Sequence, residues 1–456
     1  MKRIAQEWLS KWITHPHRKP MIIRGARQVG KSTLVRNFAI EHGLTLCEIN
    51  LERHLYLDKV FQTLNMDMIL KELEGIVKTS LLAPNSLLFL DEIQAAPAAL
   101  AALRYFYEEC PHVPVIAAGS LLEFTLNDHT FSMPVGRIEY SYLGPMNFTE
   151  FLLALGETYL VQELENYTLN QPWPESHHLQ LSDHLRTYMS VGGMPEAVLA
   201  YTETRSIEEA QRVHRSILDT YSDDFAKYAL GKETLLLIHH LFKFIPAHLG
   251  NRIKYVHLSS NHRSKEIKMA LSLLKMATLV HLVEHTHAAG IPLDVQTVPS
   301  IFKCLFLDGG LANTLNGVDW TRLTRLPQTL ITEGGVAEQF IGTHLLYRQH
   351  PAIKPLLHFW VRDGQTQNAE VDFVISEGSQ VIPIEIKSGK SGRLRSLQLF
   401  SYLRKSPLTV RFDLNPPSIA SFEHVLQTPE GSQSVAYRLL SLPLYMVTQL
   451  KRLTQT

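Results

Sequence analysis

Cysteine is scarce: Cys47, Cys110 and Cys304 are the only three in 456 residues, and they stand far apart. No CxxC pair exists, which excludes a zinc module and a disulfide framework and fits a reducing compartment. An excess of charge of one sign is missing as well. The 44 Lys plus Arg balance the 44 Asp plus Glu. That excludes a histone-like or tail-driven polyanion binder and restricts any nucleic-acid contact to a local patch. No stretch reaches about 18 apolar residues, and the N-terminus passes from Lys2 and Arg3 through Gln6, Glu7 and Ser10 without an apolar signal segment. The expectation is a soluble, cytoplasmic protein with no membrane contact. An HExxH helix, a GxSxG elbow and a Cys–His arrangement are absent too. The 22 histidines show no ligand-spaced set, so structural roles are expected for His177, His178, His281, His285 and His287.

What is present describes a folded chain. Apolar residues make up 45% and charged residues 19%, too apolar for disorder, and the length leaves room for about three domains. Ile4, Trp8, Leu9 and Trp12 recur at helical spacing ahead of Pro16. Short apolar runs then alternate with helical patterns: residues 21–24, a helix ending near Gly43, 45–51, more helix, 86–90 and 114–118. Such alternation is the mark of a parallel α/β sheet. From 148 to 228 the pattern is helical, broken at Pro172, Pro174 and the 192–195 turn. Between 233 and 292 two helical patterns flank a basic stretch, and Ile267, Ala270, Leu271 and Leu274 fall at spacings of three and four, as in a winged-helix unit. Strands, a helix near 336–346, a hairpin and a helix after Arg393 follow. The expected layout is an α/β domain at 1–147, a helical lid at 148–230, a winged-helix-like module at 231–295 and a second α/β domain at 296–456.

Gly25-Ala26-Arg27-Gln28-Val29-Gly30-Lys31-Ser32 fits the P-loop pattern G-x-x-x-x-G-K-[ST], and Thr33 follows it. Backbone N–H groups of such a loop cradle phosphates, the lysine reaches the β and γ oxygens, and the serine hydroxyl serves magnesium. An apolar strand feeds the loop and a helix leaves it, so the helix N-terminus faces the phosphates. Further on, Leu87-Leu88-Phe89-Leu90 delivers Asp91 and Glu92 at a strand end; Asp91 suits a magnesium anchor and Glu92 a base for the attacking water. ATP and Mg²⁺ are the expected ligands. Ser120, at the tip of the strand ending Ala117-Ala118-Gly119, is a sensor candidate or simply a strand end. Arg137 is either an arginine finger for a neighbouring copy, which would make the chain a homo-oligomer, or a structural ion pair.

The order of these motifs, with Leu143-Gly144-Pro145-Met146-Asn147-Phe148-Thr149-Glu150-Phe151 and Gly192-Gly193-Met194-Pro195-Glu196 after them, resembles a family of prokaryotic AAA-type ATPases. Proteins of that family carry a C-terminal domain of unknown function with a restriction-endonuclease-like core. The resemblance implies an AAA-type sheet, a lid whose Pro195 lies near the adenine, and a terminal nuclease-like fold.

A second acidic site is read from the terminal domain. The segments 370–377 and 380–387 form a hairpin around Gly378-Ser379, a pair suited to a type II′ turn. That register sets Asp372 opposite Glu385 and places Lys387 on the same face, while Val371, Phe373, Ile375, Ile382, Ile384 and Ile386 form the other. Adjacent carboxylates repel unless a cation joins them, so Asp372 and Glu385 are candidate metal ligands with Lys387 beside a bound water. The D…E-x-K pattern resembles the PD-(D/E)xK nuclease core, which implies Glu338 as a further acid. A plain hairpin whose Lys387 bridges the acids remains the alternative. Pro383 suggests an edge strand. Arg252, Lys254, Arg263, Lys265, Lys268 and Lys275 form the one basic patch, suited to DNA phosphates or to an acidic face elsewhere in the chain; Tyr255 is its one stacking aromatic. The functional expectation is an ATP-hydrolysing AAA-type protein coupled to a nuclease-like domain acting on DNA. The alternative is a nucleotide-switched regulator whose nuclease-like domain is inactive.

Overall fold

The computed structural model describes residues 1–126, 136–318, 334–362, 368–387, 394–428 and 431–455. The chain separates into two compact units. The first holds Met1–Pro145, Met276–Leu279 and Gln349–Pro355; the second holds Met146–Lys275, Val280–Arg348 and Leu356–Thr456.

The first unit is built on five strands: β1 (Met21–Arg24), β2 (Thr45–Asn50), β3 (Ser86–Asp91), β4 (Val115–Ala118) and β5 (Glu139–Tyr142). All pairs are parallel, in the order β2-β3-β4-β1-β5. Every residue of β3 is buried, as expected for a parallel strand covered on both faces. β5, Glu-Tyr-Ser-Tyr, has no apolar run, which is why the sequence alone does not announce it. The helix Lys31–Glu41 buries Leu34, Val35, Phe38 and Ala39 against the sheet and stops before Gly43, whose φ of 63° suits a helix end. The N-terminal helix, Ala5–Ile13, buries Leu9 and Trp12, but Ile4 stands before the helix and is exposed.

In the second unit, helices at Phe148–Leu155, Thr158–Asn166, Glu175–Val191, Pro195–Thr204 and Ile207–Asp224 come first. The first of them carries a full capping box between Asn147 and Glu150. Helix Ser264–Met276 buries Ile267, Ala270, Leu271 and Leu274. An eight-stranded sheet follows, made of β6 (Val280–Thr286), β7 (Thr297–Phe306), β8 (His358–Arg362), β9 (Ala369–Glu377), β10 (Gln380–Ile386), β11 (Leu408–Asp413), β12 (Ser418–Thr428) and β13 (Gly431–Pro443). Their order is β12-β13-β11-β10-β9-β8-β6-β7.

Three expectations meet corrections here. The boundary at 295/296 falls between β6 and β7, which pair with each other and continue the same sheet through β6 and β8; a wing-like hairpin is thus absorbed into the terminal sheet. β10 is internal, between β9 and β11, so Pro383 does not mark an edge. Lys387 N–H donates to Phe412 O on β11 at 2.8 Å, and by alternation the ring nitrogen of Pro383 faces β11 too. There the buried Ser406 hydroxyl lies 2.8 Å from both Leu408 O and Val381 O, joining the strands where proline has no donor. The strict alternation of β9 also fails. A register shift in the β8–β9 pairing puts Val371 and Val374 into one cluster with Trp360 and Phe400, whereas Phe373 reaches Gly342, where a Cβ would meet its ring at 2.8 Å.

Candidate functional site

Strand order decides where the phosphate site lies. β1 and β4 are neighbours and β3 lies beyond β4, so the carboxyl ends of three strands distant in sequence bring together the loop after Arg24, Asp91–Glu92 and Gly119–Ser120, the place where open α/β sheets bind ligands. Within the loop Ala26 and Val29 are buried, Arg27 and Gln28 are half-buried, and Thr33 lies on the exposed side of the helix. Gly25 and Gly30 have φ of 152° and 91°, and Gln28 one of 66°. A Cβ on Gly25 would overlap the carbonyl oxygen of Leu143, so a side chain there has neither the room nor the conformation.

Lys31 is 7% exposed, and its Nζ donates to the carbonyls of Gly25 at 2.9 Å and Ala26 at 2.8 Å. Burial pushes its pKa down to about 8, against the pull of Glu92 and Asp91. Ser32 Oγ donates to Asp91 Oδ2 at 2.8 Å. Burial raises the Asp91 carboxyl, and the bond from Ser32 works the other way. Glu92, held at a φ of 51°, accepts at Oε2 from Gln94 Nε2 at 2.7 Å and from both N–H and Oγ of Ser120 at 3.3 Å. The donor set fits a magnesium nucleotide: a buried cation with only neutral carbonyl partners, a helix N-terminus capped by no side chain, and a hydroxyl–carboxylate pair beside it.

Arg3 is the member of this site that motif reading misses. Its guanidinium, 7% exposed, donates to Val29 O at 2.9 Å and Gly144 O at 2.8 Å, tying the P-loop to the segment after β5. No local signal marks it, because the contact spans 141 positions. Arg137 binds Glu108 at 2.8 Å on the protein surface. Pro195 belongs to the second unit and opens the helix Pro195–Thr204. The glycines before it have a packing reason: Gly193 N–H donates to buried Asp308 Oδ2 at 2.6 Å, and a Cβ on Gly192 would overlap that carboxylate.

At the hairpin, Gln380 faces Glu377 and Ile384 faces Phe373, the expected register, and the pairing ends there, one residue short of Asp372 and Glu385; Gly378 has a φ of 57°, the sign a type II′ turn needs first. Asp372 Oδ2 accepts from Ile386 N–H at 2.7 Å, and Lys387 pairs with Glu385. The sequence reading lacks Lys303. From β7, 2% exposed, its ammonium lies 2.7 Å from Glu370, 3.1 Å from Glu338 and 3.6 Å from Asp372. Burial opposes its charge, but Glu338, Asp372 and Glu370 together hold its pKa above the ordinary lysine value. Burial and the Asp372 charge raise Glu338 and Glu385. Glu385 Oε2 is buried without a hydrogen-bond partner, the one feature in favour of a metal. Against it, the ammonium already lies among the acids, and among the described residues no three His, Cys, Asp or Glu side chains are grouped to hold an ion. Asp372, Glu385 and Glu338 as placed do not fit a divalent-metal cage.

The basic patch loses one member, since Arg252 pairs with Glu370 at 3.1 Å. Lys254, Arg263, Lys265, Lys268 and Lys275 are exposed, whereas half-buried Tyr255 packs on Phe302 at 5.0 Å. His281 is half-buried, its pKa pushed down to about 4 by desolvation and by Lys275. Among the described residues no helix is long and apolar enough to cross a membrane.

Residues 17–152 match the family model of an AAA domain. Residues 182–322 and 333–426 match two families described as domains of unknown function, DUF8612 and DUF4143. No curated protein matches the sequence. Among solved structures, the chain is similar to the Aeropyrum pernix ORC2 protein in its ADPNP–ADP complexes, with 15% identity, TM-score 0.33 and coverage of 71% of this chain and 96% of that one. Similarity to AMPPCP-bound DnaA of Aquifex aeolicus has 13% identity, TM-score 0.27 and coverage of 60% and 88%. For C. elegans PCH-2 the values are 11%, 0.25, 46% and 64%. Likenesses of this degree carry no argument about reaction or partner. The AAA match, however, spans the very segment in which Lys31, Ser32, Asp91 and Glu92 meet, and that segment is a P-loop domain of the AAA type.

Proposed function

We propose that the chain binds and hydrolyses ATP at the P-loop and that its second unit is a nucleotide-switched output domain that acts on a partner by contact, without cutting nucleic acid. The observation that carries the first half is the convergence of buried Lys31, Ser32 and Asp91 at one loop. On ATP binding Lys31 leaves the carbonyls of Gly25 and Ala26 for the β and γ oxygens, and the loop N–H groups close on the phosphates. Magnesium bound with the nucleotide would neutralise phosphate charge, held by Ser32 with Asp91 behind it. Glu92 orients the attacking water and takes its proton at the carboxylate, while Ser120 and Gln94 hold that carboxylate in place. Arg137 would have to leave Glu108 to serve a neighbouring copy, so its ion pair is the favoured role.

For the second unit, Lys303 favours the regulatory reading over the nuclease. The nuclease-like fold and DNA contact through Arg263, Lys265, Lys268 and Lys275 remain part of the proposal: a phosphate-tracking surface on a domain without a working metal site. Two assays test it together. Lys31→Ala should abolish ATP turnover, and DNA and RNA incubated with Mg²⁺ or Mn²⁺ should stay intact with ATP, with ADP and without nucleotide. Metal-dependent cleavage lost in Asp372→Ala would restore the nuclease, and unchanged turnover in Lys31→Ala would remove the ATPase.

A further inference from the structure

A second concave site lies in the second unit, on the side of the sheet covered by helix Arg395–Arg404. It is an open cleft of about 440 Å³ lined by His285, His287, Trp360, Arg362, Leu403 and Arg404, among others. Two guanidiniums therefore border one cavity, one from the end of β8 and one from the end of the helix. Neither has a carboxylate partner among the described residues. Arg404 Nε is buried with no hydrogen-bond acceptor at all, an expense that native structures rarely leave unexplained. Burial and the neighbouring charge of Arg362 both push the Arg404 pKa down, and no acid offsets them. The helix C-terminus favours one positive charge at Arg404, but it does not account for a second beside it. The floor is rigid: Trp360 packs edge-on against Phe400 at 5.2 Å, and Val361 N–H donates to His285 Nδ1 at 3.3 Å.

We propose that this cavity binds a phosphate monoester between Arg362 and Arg404. A guanidinium offers a planar fork of N–H donors that matches phosphoryl oxygens two at a time. A monoester carries close to two negative charges at neutral pH, which balances two arginines; a carboxylate or a backbone phosphodiester would balance one. The volume suits a nucleotide-sized group. Such a monoester exists either as a free mononucleotide or as the 5′-phosphate end of a nucleic-acid strand, and the cavity chemistry is the same for both.

The test uses the full chain carrying Lys31→Ala, so that the P-loop does not report. Calorimetry compares dTMP with thymidine, and 5′-phosphorylated with 5′-hydroxyl oligothymidylate. The phosphorylated member of at least one pair should bind at least about 10-fold more tightly. dTMP alone succeeding assigns a free nucleotide; the phosphorylated strand binding well above dTMP assigns a strand end. Arg362→Gln and Arg404→Gln should each weaken that binding about 10-fold, and the phosphorylated probe should raise Tm in the parent but not in the double variant. Arg362 is only half-buried, so its variant remains a fair test if Arg404→Gln folds poorly. Equal binding with and without the phosphate, or binding indifferent to Arg362→Gln, overturns the proposal.

Discussion

Lys303 Nζ stands 3.1 Å from Glu338 Oε2 with 2% of the lysine side chain exposed. β7 and the helix Gly334–Leu346 supply the two residues, and the same ammonium reaches Glu370 and Asp372. A cluster of acids thereby receives a cation from within the chain. Removing that ammonium leaves buried carboxylates uncompensated, which typically costs about 3 to 5 kcal/mol. Lys303→Met should therefore lower the Tm of the second unit markedly. Mg²⁺ or Mn²⁺ should recover part of that loss in the variant and leave wild type unchanged; a wild-type Tm that rises with either ion would contradict this account of the site.

Glu92→Gln should retain ATP affinity and slow turnover by about 10²-fold or more, the usual share of a positioned base. Ser120→Ala removes one of the groups that hold the Glu92 carboxylate and should produce a smaller fall in kcat with little change in KM. Steady-state hydrolysis measures both.

Lys31 has a folded pKa of about 8, depressed by burial. Phosphate oxygens favour the charged ammonium, so ATP binding raises that value and the protein takes up a proton. The sign fixes the window: below the folded value the lysine is already charged and uptake vanishes, and above it uptake grows. Calorimetry in buffers of different ionisation enthalpy should find about half a proton taken up at pH 8 and close to none at pH 6. Equal uptake at both values would mean that Lys31 is not the group responding.

Arg3 holds Val29 O and Gly144 O, and charge-assisted bonds of this kind contribute about 1.5 to 3 kcal/mol each. Arg3→Ala should weaken ATP binding about 10-fold by loosening the loop while kcat at saturation changes little. A fall confined to kcat would place the residue in the chemistry instead.

Ser406 joins β10 and β11 at the position where Pro383 has no N–H. Ser406→Ala should cost about 1 to 3 kcal/mol in urea unfolding of the second unit, the price of unsatisfied buried carbonyls. In a Pro383→Val background, which restores a backbone donor towards β11, the same change should cost less. Additive losses would show that the hydroxyl and the proline are independent.

The phosphate-binding motif and the hairpin register are both legible in the residues alone. Both are local: the P-loop places its glycines, Lys31 and Ser32 within eight positions, and a two-residue turn sets the register of its two strands as far as Ile384 and Phe373. Tertiary structure decided everything that depended on distant strands becoming neighbours. β5 is too polar to be recognised before β1 is there to pair with it, and the β6–β7 hairpin reads as a separate wing until β8 is laid parallel to β6. Arg3 and Lys303 show the same limit for function. Each is a single basic residue in an ordinary local pattern, and each acquires a role because burial makes an isolated charge costly and the fold brings acceptors from far along the chain to meet it. One consequence is that the motif reading finds the acids of the second site and misses the cation that answers them.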